Sequence, residues 1–404
     1  MAITGIGIVS CLGNGAAETL DAVRNARSGI RWLESIDATQ LSCRIGGEVP
    51  APAHEGLHRG HDRFTRLALI AAEEAASQAN FSALGIDPDR CGCLIGTGLG
   101  GCETSDAGYK RIYKEGTTRV MPTTIPWSMY NAAASAISTK YGAKGVAYAV
   151  VSACASSAHA IGLAALAIRS GQADAMFAGG ADAPLTFGII RAWESMRVLA
   201  ADDDPARACR PFSADRKGLV LSEGAAVFVL ESLENALRRG QPVLGEILGV
   251  GATSDAGHLT DPSADGAARA MRMALADGSI DPREVGYINA HGTATLANDA
   301  TETRAIKAVF GDHARRIPVS STKSMHGHAM GASGAIEIAT SLIALSAGVI
   351  PPTINLDRPD PECDLDYVPN APRAGSAQYF LSNSFGFGGM NAVVAVRAGS
   401  VLSS

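Results

Sequence analysis

One pattern occurs twice in this chain, and it restricts the fold more than any single element does. Val150-Val-Ser-Ala-Cys154 leads into Ala160-Ile-Gly-Leu-Ala-Ala-Leu-Ala-Ile-Arg-Ser-Gly171, and Val319-Ser-Ser-Thr-Lys323 leads into Ala335-Ile-Glu-Ile-Ala-Thr-Ser-Leu-Ile-Ala-Leu-Ser-Ala-Gly348. Each reads as a strand, a polar turn and a helix of small residues. Leu221-Ser-Glu-Gly-Ala-Ala-Val-Phe-Val-Leu230 and Phe387-Gly-Gly-Met-Asn-Ala-Val-Val-Ala-Val396 correspond in the same way, a glycine and then a strand. Recurrence of a whole unit implies a duplicated architecture. The boundary falls near residues 232–250, around the turn Arg238-Arg-Gly-Gln-Pro242, which divides the chain into halves of 1–240 and 241–404.

Around these landmarks short apolar runs alternate with Ala-rich helical patterns, as in layered α/β proteins. Residues 63–79 read as one helix and Cys93-Leu-Ile-Gly96 as the next strand; residues 155–170 read as a helix closed by Gly171, with Asp174–Ala181 the strand after it. The charged stretch 200–217 reads as a solvated loop.

A chain of 404 residues that is 47% hydrophobic and 18% charged buries a large core. Its net charge of −6, with no basic run, argues against a nucleic acid or an anionic membrane as partner. No apolar stretch approaches the roughly 20 residues of a membrane span. The strand-like Ala2–Val9 lacks signal-peptide organisation, so a cytoplasmic location is expected. The eight cysteines are scattered without a Cys-x-x-Cys pair, and seven read as buried residues in a reducing compartment.

The eighth, Cys154, stands where an apolar run stops and a helix starts. Unpaired N–H groups and the helix dipole there favour thiolate over thiol, as a nucleophile requires. Downstream lie two polar, histidine-bearing stretches, Asn289-Ala-His-Gly-Thr-Ala-Thr295 and Ser320–Gly334 with His326 and His328. A cysteine with distant histidines is the pattern of covalent acyl chemistry.

Four ordered motifs, Ser152-Ala-Cys-Ala-Ser-Ser157, His291-Gly-Thr-Ala-Thr-Leu-Ala-Asn-Asp299, Ser321-Thr-Lys-Ser-Met-His-Gly-His328 through Gly331-Ala-Ser-Gly334, and Asn383-Ser-Phe-Gly-Phe-Gly-Gly389, resemble those of the β-ketoacyl-acyl-carrier-protein synthases. These are the elongating condensing enzymes of type II fatty acid and polyketide synthesis. The resemblance runs from Thr4-Gly-Ile-Gly7 to the C-terminus. It implies an α/β fold, the duplicated thiolase-type αβαβα sandwich with mixed sheets, and a decarboxylative condensation of an acyl thioester held on Cys154 with malonyl-acyl carrier protein.

The same resemblance assigns roles. Backbone N–H groups of Cys154 and Phe387 would stabilise the oxyanion of acyl transfer, and His291 and His328 the enolate formed by decarboxylation. Lys323 would orient His328, with Glu337 as its carboxylate partner. Thr293 and Thr295 would hydrogen-bond the phosphopantetheine arm. Phe385, Phe387 and Gly388 belong to a glycine-rich gating loop, and Asp255, His258 and Thr260 to a second one. Acyl carrier protein is the implied partner, no metal and no cofactor of the protein's own is implied, and the assembly is a homodimer or a heterodimer with a chain-length-factor homologue.

Two departures from the family pattern stand out. His326 replaces the threonine of a Thr-Gly-His motif, which together with Arg191-Ala-Trp-Glu-Ser-Met-Arg197 is similar to the branch containing nodulation protein E; Met390 replaces a common threonine. Other readings of the residues are weaker. His291, His326 and His328 form a chemically sensible zinc set, yet no carboxylate-rich or cysteine set accompanies them. Gly96-Thr-Gly-Leu-Gly-Gly101 satisfies a dinucleotide pattern but lacks the downstream acidic strand, and reads as tight backbone packing. A non-catalytic, pocket-shaping subunit is disfavoured because Cys154, His291 and His328 are all retained. His54, His58, His61 and His159 read as ordinary surface or helix residues.

Overall fold

The computed structural model describes residues 1–50 and 58–399, so His54 lies outside the described residues. Ten strands matter for the site. In the first half these are β1 (Ala2–Ser10), β2 (Cys91–Gly96), β3 (Ala147–Val150), β4 (Ala175–Asp182) and β5 (Gly224–Glu231). In the second they are β6 (Gly245–Ser254), β7 (Val285–Asn289), β8 (Val319–Ser320), β9 (Tyr379–Gly386) and β10 (Met390–Ala398).

The spatial order is β3-β2-β4-β5-β1 in the first half and β8-β7-β9-β10-β6 in the second. Each strand has a counterpart, down to direction. β2 is parallel to β3 and β4, as β7 is to β8 and β9; β5 is antiparallel to β4 and β1, as β10 is to β9 and β6. The halves meet where β1 pairs with β6 at Ala2↔Glu246 and Ile3↔Gly245. Parallel members demand crossover helices, which is why helices cover both faces.

Helices α1 (Arg63–Gln78), α2 (Ser156–Arg169), α3 (Ala264–Asp277), α4 (Leu296–Phe310) and α5 (Ser333–Ser346) complete the five layers. The central layer is α2 and α5: Ile161 and Ala164 with Ile336 and Leu342 share one core with Ile8, Phe228, Val394 and Phe380 from the two sheets. Outside it, α1 covers the first sheet through Phe64 and Leu67, and α3 covers the second through Met271 and Leu275. Duplication reaches single glycines. A Cβ on Gly7 would stand 1.8 Å from the Ala71 oxygen of α1, and one on Gly251 would stand 1.9 Å from the Ala270 oxygen of α3. The bare backbone lets each helix lie directly on its strand.

The 200–217 stretch is only in part the solvated loop its charge suggests. Arg216 is buried and paired with Asp360 at 2.5 Å and Asp299 at 3.6 Å, while Arg210 pairs with Asp202 and Asp215. Arg210 pairs within the stretch and residues 201–207 are largely exposed, but Arg216 is matched by carboxylates far along the chain, which local sequence does not display. His58 is likewise buried, its Nε2 lying 3.0 Å from Glu73, and the half-buried His159 bonds Ser152 Oγ at 2.7 Å. No helix among the described residues is long and apolar enough to cross a membrane.

Candidate active site

Cys154 sits between β3 and α2, held by a tight elbow. Ala153 takes φ +51°, Ser156 Oγ accepts from Ser152 N at 2.9 Å, and it donates to the Ala153 oxygen at 2.6 Å. Gly386, at the end of β9, closes the other side: a Cβ there would stand 3.2 Å from Cys154 N and 2.9 Å from Ser152 O.

His328 Nε2 lies 3.1 Å from Cys154 Sγ. The tautomer follows from the other ring nitrogen. Met330 N–H donates to His328 Nδ1 at 3.1 Å, and Ser333 Oγ stands 2.9 Å away. A backbone N–H only donates, so Nδ1 accepts and the ring hydrogen is on Nε2, aimed at sulfur.

His291 follows β7, its ring 5.5 Å from that of His328 and edge-on to it at 87°. Lys323 Nζ approaches His291 Nδ1 at 3.3 Å and donates to the His291 carbonyl at 2.6 Å. An ammonium also only donates, so this ring too presents Nε2–H. Behind it, Lys323 and Glu337 form an ion pair with both side chains fully buried. The His291 loop is fixed by Glu302, whose carboxylate accepts from the N–H groups of His291 at 2.9 Å and Gly292 at 2.8 Å and from Asn383 at 3.0 Å.

Burial governs the protonation states. It drives His291 and His328 well below the ordinary imidazole range, and the Lys323 charge adds to that, so both rings are neutral near pH 7. It also pushes the Cys154 thiol up to about 12, with Lys323 pulling the other way. The thiolate preference expected at the helix start is therefore opposed by the anion's lost hydration, which outweighs the nearby Lys323 charge. Glu337 is raised to about 7 by burial, opposed by its lysine.

Cys154, His291, His328, Thr293, Thr295, Phe385, Phe387, Asp255 and Thr260 line one cavity of about 600 Å³ including its mouth. Thr293 and Thr295 hydroxyls are 2.9 Å apart. Four expected site residues stand elsewhere. Glu337 does not reach the substrate space, because its carboxylate is spent on Lys323 behind His291. Lys323 supports His291 rather than His328, since the turn after it carries His328 away from the ammonium. His258 is exposed, its Nδ1 accepting from Thr260 N at 3.2 Å within its own loop. Gly388 acts through its backbone, donating to Leu259 O at 2.8 Å and joining the two loops. Asp255 reinforces that junction: its N–H donates to Gly389 O at 2.9 Å and its carboxylate accepts from Asn391 at 2.6 Å.

Sequence reasoning missed Gly386, Glu302, Ser333 and Trp193. Gly386, Ser333 and Trp193 lie inside motifs the sequence displays but without a sign of their individual parts, while Glu302 shows only as the second of two acids three residues apart, Asp299 and Glu302, both buried on α4. The ligating atoms of Cys154, His291 and His328 lie within 4.8 Å of one another, close enough for a metal. Their chemistry fits one poorly, because both Nε2 atoms carry hydrogens and Lys323 adds positive charge at His291. His326 is not in the set; its Nε2 faces Thr322 Oγ1 at 3.0 Å.

Comparison with known proteins agrees with this geometry. Residues 1–236 match the model of the β-ketoacyl synthase N-terminal domain and residues 244–357 that of the C-terminal domain. Nodulation protein E from Rhizobium leguminosarum bv. trifolii is 46% identical over 98% of both chains. The 3-oxoacyl-[acyl-carrier-protein] synthase 2 of Synechocystis sp. is 43% identical over 98% of this chain and 97% of its own. A ketosynthase in complex with its type II polyketide acyl carrier protein, bound to the hexaketide, superimposes with a TM-score of 0.92 at 34% identity over 98% of both chains. The ishigamide ketosynthase/chain length factor gives 0.91 at 32% identity, again over 98% of both.

Proposed function

The chain belongs to the β-ketoacyl synthase family, and from that premise we propose how its own residues carry the condensation. It is a condensing acyltransferase that extends an acyl thioester by decarboxylative reaction with malonyl-acyl carrier protein. The observation that carries the assignment of roles is the single cavity in which one sulfur faces two Nε2–H donors.

In the first step Cys154 sulfur bonds the acyl carbonyl carbon, the carrier's C–S bond breaks, and the thiol proton leaves with the carrier's thiol. The Cys154 and Phe387 amides, which make no turn or loop bond among the described residues, serve as oxyanion donors. In the second step the malonyl C–C bond breaks, carbon dioxide departs, and the electron pair forms an enolate. The Nε2–H groups of His291 and His328 stabilise its oxygen, and Lys323 holds His291 neutral and in place. The carbanion then bonds the acyl carbon and the sulfur leaves, taking up a proton. These changes balance without a redox step or a metal, so no cofactor of the protein's own is assigned; phosphopantetheine on the carrier brings the substrates. Thr293 and Thr295 bind that arm, while Phe385, Phe387 and the Asp255–Thr260 loop shape the passage.

We place the nucleophile in a half of 1–240 and the imidazoles in a half of 241–404, working in the cytoplasm as a homodimer. The exposed edge strand β3, with Tyr148 43% exposed and Val151 just after it 54% exposed, supports pairing with another chain. A chain-length-factor homologue is the second candidate for that place, as in the ishigamide complex. The decisive test is intact mass spectrometry after exposure to acyl carrier protein bearing acyl groups: the protein gains the acyl mass, and Cys154→Ala gains none. An adduct on Cys154→Ala, or condensation at wild-type rate, overturns the assignment.

A further inference from the structure

The condensation mechanism leaves unused one residue of the Arg191–Arg197 motif. Trp193 lines the active-site cavity and lays its indole on the Phe387 ring, centroids 5.6 Å apart and planes 23° from parallel. The two rings differ in how they are held. Trp193 is buried beside Ile190 on a helix, Phe187–Ser195, whose C-terminal end is pinned from outside. Glu194, next to it, accepts from the backbone N–H groups of Ser42 at 2.5 Å and Cys43 at 2.7 Å and pairs with Arg191 at 2.8 Å; Arg191 in turn reaches the Gln40 carbonyl. Phe387 is flanked by Gly386, Gly388 and Gly389, the last two at φ +81° and +72°, where backbone rotation meets little resistance.

The indole is thus a fixed platform and the phenyl ring the part able to leave it. What lies behind the stack is apolar: Trp193 and Phe387 line the cavity that holds Cys154 and also pack in one cluster with Leu33, Leu41, Leu185 and Met330. From this the structure assigns Trp193 as the positioning residue for Phe387, the stack closing the route from Cys154 into that cluster and thereby setting how readily long acyl chains load relative to short ones. This rests on the condensation reading above. An aromatic stack of this kind changes an open-to-closed ratio roughly three- to tenfold.

The test has two arms. In a W32F/W127F protein, Trp193 is the sole indole; F387A should shift its emission, and so should loading of a long acyl chain onto Cys154, whereas an acetyl group should not. In the second arm, the ratio of long-chain to acetyl loading, followed by intact mass, should rise roughly three- to tenfold in W193A and W193L. It should return to the wild-type value in W193F, which keeps a ring face, and W193A should add little in an F387A background. An emission unmoved by F387A, a ratio unchanged in W193L, or W193F behaving as W193L does, overturns the inference. A wild-type protein that accepts no acyl group overturns the condensation reading instead, and the emission response to F387A still decides the stack.

Discussion

The turn after β3 and the turn after β8 occupy equivalent places in the duplicated fold, yet they are built for opposite tasks. Residues 151–155 take the chain from β3 to α2 in a tight turn, with Ala153 in the left-handed region and the Cys154 sulfur buried against His328. Residues 321–332 separate β8 from α5, and they are buried throughout, holding Lys323, His326 and His328 inside the protein. The strands differ correspondingly. β3 is a half-exposed edge, whereas β8 is fully covered. The two turns meet in one cavity, where the short elbow brings the proposed nucleophile Cys154 within 3.1 Å of His328 from the longer, polar and buried turn.

The sharpest way to break this division is to remove a donor from the longer turn and leave the elbow intact. His328→Ala should lower condensation about 10²- to 10³-fold, the loss typical of one oxyanion donor, while acyl loading on Cys154 falls far less. Stopped-flow loading against steady-state condensation checks this; equal losses in both would merge the two tasks.

The support beneath the imidazoles comes next. Lys323→Met strands Glu337 in the interior and should cost about 3–5 kcal/mol of stability by denaturant unfolding, with the double change Lys323→Met/Glu337→Leu recovering much of it. Both imidazoles are held low first by burial and second by the lysine charge. Condensation by the wild-type protein should therefore stay flat as pH falls to about 6. Without the ammonium the imidazolium forms are less disfavoured, the histidine pKa values rise toward the ordinary range, and the acid limb of the profile of residual condensation moves to higher pH. A limb that stays in place would show that Lys323 acts only as a structural prop.

The smallest effect is expected at the elbow's neighbour. Gly386→Ala puts a methyl group 2.9 Å from the Ser152 oxygen and 3.2 Å from Cys154 N and should slow acyl loading about tenfold and cost about 1–3 kcal/mol of stability, because strand β9 and the elbow must separate. Wild-type loading kinetics would show the elbow to be more pliable than its contacts imply.

The doubling was legible because it is written in local pattern. Val150–Gly171 and Val319–Gly348 repeat the same switch from strand to small-residue helix, and the helix over 63–79 and the glycine stop at Gly171, with φ +73°, follow from periodicity and backbone freedom. That Cys154, His291 and His328 belong to one candidate site was legible too, since a cysteine at a strand-to-helix junction and histidines in polar, glycine-flanked turns are chemically conspicuous in an apolar chain, and the fold brings them into one cavity. What the sequence misdirected were the partnerships. Arg216 looked solvated and Lys323 looked like the neighbour of His328, whereas the pairing of Lys323 with Glu337 is as expected.

By itself, then, the order of residues determined the strands, the helices, their repetition and which side chains are candidates for the chemistry, all of which depend on neighbours a few positions away. Only the tertiary structure decided that Lys323 serves His291, that Met330 directs the His328 hydrogen at sulfur, that Trp193 stacks on Phe387, and that burial raises the thiol against the pull of Lys323. Those outcomes depend on distance, solvent exclusion and hydrogen-bond direction between segments brought together by the fold, and the energy of an ion or a hydrogen bond is set by what surrounds it.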